Sequence, residues 1–217
     1  MGMGPKLLAP RWAGSVAQTG TAVFAAACVA WQFLRPDLDW VAAPMSFYLL
    51  GPTGWGLQAA YVALAVALVA LAVGYYRHLP RDARSAAPGL LFAVGAVALV
   101  VTALARSNVP HAAPTLEGWV HATAASTAFL TVTTAMLLQS WWMQGLHGPT
   151  GRWKLALGLA SVCFAALWLL VLWRDLPRGA GQKALIALIV VWLGLSSHWL
   201  RRADGRPQEC EPCAGER

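Results

Sequence analysis

GLQAAYVALAVALVALAVGYY, Gly56 to Tyr76, holds no charged residue between Trp55 and Arg77. A helix that crosses the hydrocarbon core needs about 20 mainly apolar residues, so this stretch is long enough to span and too apolar to face water. Five further runs match it: roughly Ala13 to Leu34, Gly89 to Ala105, Gly118 to Trp142, Leu155 to Trp173 and Ala184 to Leu200. None contains Asp or Glu. No run shows the 3.6-period polar stripe that a soluble helix needs on its outer face. The pattern predicts an all-α, polytopic transmembrane bundle of six spans. It forms one domain over residues 1–200, followed by a short polar tail over 201–217 that the composition predicts to be disordered.

Composition agrees. The chain of 217 residues is 58% hydrophobic and 12% charged, against about 25% charged in an average soluble domain. The net charge of +7 is spread as a topology signal rather than as a nucleic-acid footprint. With the N-terminus placed in the cytoplasm, eleven of the 16 Lys and Arg residues fall inside and five outside (Arg35, Arg106, Arg174, Arg178 and Lys183). Both termini are therefore expected in the cytoplasm, in a cell membrane. Tryptophans follow the same frame: Trp40, Trp55, Trp119 and Trp173 near outer ends, Trp12, Trp141, Trp142, Trp153 and Trp199 near inner ones, where amphipathic rings settle. Only Trp168 and Trp192 sit well inside a span, and packing is their expected role. The first run is long and carries Gln18, Thr19 and Thr21, so a retained helix is expected rather than a cleaved signal. The opening MGMGPK lacks the Ser or Thr of a myristoylation signal. Alanine-rich faces at Ala22 to Ala30 and Ala60 to Ala72 allow close helix approach and a possible homo-oligomer.

The connections are short, leaving no room for a soluble domain. Polar residues gather in the outer ones: Ser46, Tyr48, Arg106, Asn108, His111, Thr115, Glu117, His121, Gln182 and Lys183. Two histidines of NVPHAAPTLEGWVH (108–121) raise a metal reading with Glu117, yet His111 and His121 are too widely spaced to mark a zinc site. His121 lies about 4.5 Å into the fourth helix at 1.5 Å per residue, a depth at which ionisable groups face protein or water. It is expected either to hydrogen-bond the loop above or to meet a ligand.

Other chemistries find little support. A b-type haem electron path using His121 and His198 is the cofactor alternative to none, but His111 and His147 fall in loops and His78 and His198 at helix ends. Enclosing a porphyrin calls for deeper axial positions. No membrane-buried carboxylate or lysine suggests coupled transport. Ser46 or Ser126 with His121 could in outline serve a hydrolase, although nothing local marks a nucleophile. An enzyme is therefore not expected. Thr131, Thr133 and Thr134 are expected to bond their own backbone. Cys28 and Cys163 should pack as small apolar residues. Cys210 and Cys213 form CEPC, one half of a zinc site with no redox fold around it.

Three segments together resemble the bacterial and archaeal membrane family called domain of unknown function 998. PMSFYLLGPTGW (44–55) is similar to its Ser-x-Tyr and Gly-rich approach to the second helix. Gly118 and His121 match its Gly-x-x-His at the head of the fourth, and GAGQK (179–183) its Gly-x-x-Gln-Arg signature, with Gln182 retained and Lys183 replacing arginine. Val109-Pro110-His111-Ala112 departs from its Phe-Pro-x-Asp turn, so the acid of that turn is absent. The resemblance implies six helices without an established activity, and a distant likeness to eukaryotic multispanning proteins tied to lipid handling. The site expected from these readings comprises His121, Arg106, Tyr48, Ser46, Gln182 and Lys183. It would contact a lipid headgroup or small amphiphile, with membrane lipids as partners, or merely tie the loops together.

Overall fold

The computed structural model describes residues 10–80, 84–109, 113–145, 151–173 and 175–202. Among them lie six long helices: α1 Pro10–Leu34, α2 Gly54–His78, α3 Ala87–Leu104, α4 Leu116–Trp142, α5 Gly151–Leu172 and α6 Arg178–Arg202. Each is long and apolar enough to cross a membrane. Their ends follow local chemistry. α1 and α2 stop just before Pro36 and Pro80, which push the preceding residue out of the helical region. α3 takes Pro88 into its first turn, where a missing N–H costs nothing. α4 is capped by Thr115, whose hydroxyl accepts from the Gly118 N–H at 3.0 Å.

Consecutive helices pack side by side and α6 returns to α1, which closes the bundle into a ring. Gly14 of α1 lies against the backbone of Ser197 and Arg201 on α6, so the two ends of the described chain share one end of the bundle. That end also holds the α2–α3 and α4–α5 connections; the opposite, or lid, end holds the other three. α2 is the most enclosed span, with 50% of its apolar window buried, and α5 the least, with 17%. α5 buries only Ala156, Ala160 and Cys163, none of them in the last two turns before the lid end.

α6 begins at Arg178, earlier than the apolar run suggests. Gln182 and Lys183 accordingly stand on a helix rather than in a connection, because polar residues continue a helix wherever its turns are packed. Gly179 lies against the backbone of Val41 and Ala42, and the Ala180 N–H donates to the Val41 carbonyl at 2.7 Å, which holds that first turn in place. At the other terminus of α6, Arg201 and Arg202 still belong to the helix. The remaining tail with CEPC lies outside the described residues.

The two mid-span tryptophans part company. Trp192 is 1% exposed and Trp168 44% exposed. Trp168 meets only Phe164 among the described rings, edge-on at 6.2 Å. Thr131, Thr133 and Thr134 each donate to a carbonyl one turn back, at 2.7 to 2.8 Å. Cys163 is fully buried and Cys28 half-buried.

Candidate functional site

The lid end is built by folding the α1–α2 connection over the bundle. Arg35 closes its first turn, pairing with Asp37 at 2.7 Å and donating to the Leu50 carbonyl at 2.6 Å. Beside that contact Gly51 takes φ +92°, a conformation that disfavours any residue with a Cβ. Asp39 accepts from the Val41 and Ala42 N–H groups at 2.7 and 2.8 Å. A 3-10 helix at Met45–Leu49 then carries Ser46 and Tyr48 inward.

Tyr48 and Lys183 meet at a residue that the motifs do not highlight, Gln32 on α1. Its carbonyl accepts from the Tyr48 hydroxyl at 2.9 Å and from Lys183 Nζ at 2.8 Å. Lys183 Nζ also donates to the Trp40 carbonyl at 2.6 Å and to the Tyr48 hydroxyl at 3.3 Å. An ammonium has three protons, and all three are committed. Gln182, one residue away, accepts from the Met45 N–H at 2.9 Å. These side chains pin the connection to α1 and α6. Gln32 was legible only as a lone amide near the end of an apolar run, a weak signal.

Asp37 and Asp39 both titrate below the ordinary carboxylate range, Asp37 through the hydrogen bond from Arg35 and Asp39 through the N–H groups of Ala42 and Val41. Groups whose folded pKa is depressed stabilise above their unfolded value, about 3.9 for Asp, and that gain is lost as pH falls through the folded values. Limited proteolysis within 35–53 is therefore expected to accelerate below about pH 4, while cleavage elsewhere stays unchanged. Acid-independent cleavage there would contradict it.

The α3–α4 connection is tied differently. The Asn108 carbonyl accepts from the Thr115 N–H at 3.1 Å and hydroxyl at 2.9 Å. Its amide fills the space where a Cβ of Gly118 would stand. Glu117 accepts from the Arg106 N–H at 3.0 Å. His121, 5% exposed, lies 2.9 Å from the Ala105 carbonyl through Nδ1. A carbonyl only accepts, so Nδ1 carries the proton and a neutral ring keeps Nε2 as a free acceptor. His111 lies outside the described residues, and no group of three metal-ligating side chains occurs among those described.

Beneath the lid is a cavity of about 60 Å³. Ser46, His121 and Gln182 stand at its lid end, and α1, α2, α3, α4 and α6 supply its walls. It follows α4 from His121 to Val132 and α6 from Gln182 to Leu193, about 16 Å at 1.5 Å per residue. Deeper walls such as Leu64, Leu68, Phe129 and Ile189 are apolar, and among the described residues no Asp, Glu, Lys or Arg lines it. Phe24 and Tyr61 brace one side edge-on, 5.1 Å between ring centroids at 79°. Thr102 is on the wall too, but its hydroxyl is spent on the Ala98 carbonyl at 2.8 Å.

Of the six expected site residues, Ser46, His121 and Gln182 thus converge on one cavity. Tyr48 and Lys183 instead lock the loop above it, and Arg106 stays exposed in the α3–α4 connection. His198 is at the other end of α6, sixteen residues beyond Gln182 and so about 24 Å away along the axis. It therefore shares no site with His121.

A family model described as "Protein of unknown function (DUF998)" matches residues 19–199. No curated protein and no solved structure matches the chain.

Proposed function

From the premise that the chain belongs to the DUF998 family of proteins of unknown function, we propose that it is a non-enzymatic integral membrane protein that holds a small amphiphile. The polar head meets Ser46, His121 and Gln182, and the tail lies in the apolar slot below. One observation carries the reading: a cavity polar at one end and apolar for the rest of its length, which is the division an amphiphile has. A purely structural polar lid has no need of a hollow beneath it. The basic residues Arg11, Arg77, Arg84, Arg152, Lys154, Arg201 and Arg202 crowd the opposite end of the bundle. They support a cell-membrane orientation with that end in the cytoplasm and the lid outside.

Native mass spectrometry of protein extracted in a mild detergent is the test. Wild type is expected to carry a bound amphiphile. His121→Phe, which keeps the wall but removes Nε2, should lower its occupancy about tenfold, the worth of about 1.4 kcal/mol. The same change strands the Ala105 carbonyl and should cost about 1 to 3 kcal/mol of stability. Wild type emerging empty, or His121→Phe retaining full occupancy, counts against the reading.

A further inference from the structure

We propose that the slot is loaded sideways from the lipid leaflet, through a seam between α4 and α6, with an uncharged single-chain lipid such as a long-chain alcohol or a monoacylglycerol. This rests on the amphiphile reading above and names both the ligand class and its route.

The route follows from which walls are closed. Phe24, Tyr61, Leu64, Leu68 and Thr102 on the α1–α2–α3 side are buried, and of the wall residues there only Leu99 is half-buried. On the opposite side, Ala125 and Phe129 of α4 and Ile186 and Val190 of α6 line the same cavity and are only half-buried. Each pair is spaced four residues apart, so it forms one continuous edge along its helix. Between α4 and α6 stands α5, which contributes nothing to the cavity wall; beyond Cys163 it has no fully buried residue, only the half-buried Ala166, Leu167 and Leu170, with Leu170 against Gly181 of α6. Toward the termini the seam is sealed by Trp192, whose Nε1 donates to Ser140 Oγ on α4 at 3.1 Å and to the Ala156 carbonyl on α5 at 3.0 Å. No comparable bridge joins α4 to α6 among the described residues nearer the lid. From above, the lid ties of Lys183, Gln182 and His121 close the polar end. The open side thus faces hydrocarbon rather than water.

The chemistry of the head follows from what the lid has already spent. A phosphate or carboxylate would want Lys183 or Arg106. The Lys183 protons are all committed to Gln32, Tyr48 and Trp40, and Arg106 does not reach the cavity lining. What remains is a hydroxyl on Ser46, the Nε2 acceptor of His121, the amide nitrogen of Gln182, which donates to no described residue, and, deeper in the wall, the hydroxyl of Tyr61. Such a set suits a head that both donates and accepts and carries no charge. Placing an anion there would cost its desolvation with no cation to offset it. A cavity of about 60 Å³ leaves room for one chain at most.

The experiment uses full-length protein in phosphatidylcholine vesicles with three diazirine-bearing C16 probes, an alcohol, a carboxylate and a trimethylammonium. Saturable labelling by the alcohol at Phe129 or Ile189 is expected, competed by monoolein and at least tenfold above the charged probes at pH 8. Equal labelling by all three overturns the uncharged class. Ala125→Phe and Val190→Phe, made separately so that one misfolded variant does not decide the matter, should each slow loading at least tenfold. Loading of a folded variant at the wild-type rate overturns the lateral route. Absence of saturable labelling by every probe refutes the amphiphile reading itself.

Discussion

Trp192→Ala is expected to be the most damaging single substitution in the bundle, lowering Tm by about 6 to 20 °C. The indole is 1% exposed and, from α6, touches α3, α4 and α5. Its ring lies 6.2 Å from that of Phe92, and its N–H is shared between Ser140 and Ala156. Removing a buried aromatic costs about 3 to 5 kcal/mol in lost contacts and residual cavity, and each kcal/mol moves Tm by about 2 to 4 °C in a chain of this size. In lipid the loss is mainly of packing, since helices gain little hydrophobic drive from one another there. Trp192→Phe isolates the polar part: it keeps most of the volume, loses the N–H, and should cost only about 0.6 to 2 kcal/mol. Circular dichroism melts in detergent check both. An alanine variant that melts with wild type would mean that α5 is not held through this ring.

The second large effect is expected at Gly14. A Cβ there would stand 2.5 Å from the Arg201 nitrogen and 2.9 Å from the Ser197 carbonyl. Those atoms are backbone and cannot rotate away. Gly14→Val must therefore part α1 from α6, the contact that closes the ring, at a cost of about 1 to 3 kcal/mol or more and about 2 to 12 °C in Tm. Gly158→Val supplies the control. Nothing lies within 4 Å of a Cβ at that position, so its melt should stay within about 0.5 kcal/mol of wild type. Similar losses at both glycines would point to helix propensity rather than close approach as the cause.

Of the six residues that the sequence marks out, three line the cavity, Tyr48 and Lys183 tie the loop above it, and Arg106 stays exposed. Ser46, His121 and Gln182 stood out because polar residues at the edge of apolar runs are costly unless used. Tyr48 and Lys183 stood out for the same reason, but they turned out to serve the loop. Sequence cannot separate the two uses: both need a polar group at the same depth, and the difference is which atoms are already paired. Gln32 carries no such mark, because a single amide near a helix end is common. For His121 the alternatives of holding a loop and meeting a ligand are not exclusive, since an imidazole has two nitrogens and the Ala105 carbonyl occupies one.

The number of helices, their approximate limits and their apolar character were set by composition and run length alone, because a hydrocarbon solvent punishes every unpaired backbone group and leaves a helix as the local answer. Which helix lies inside and which at the edge was not available from those runs. α2 and α5 are both strongly apolar, with mean hydropathy 2.2 and 2.5, yet 50% of one window and 17% of the other is buried. When lipid and protein interior are equally apolar, hydropathy no longer distinguishes a buried face from a lipid-facing one. The choice falls to shape: glycines that admit a neighbouring backbone, one tryptophan that bridges three helices, and a lid whose ties leave a slot beneath it. Only the folded chain brings those together.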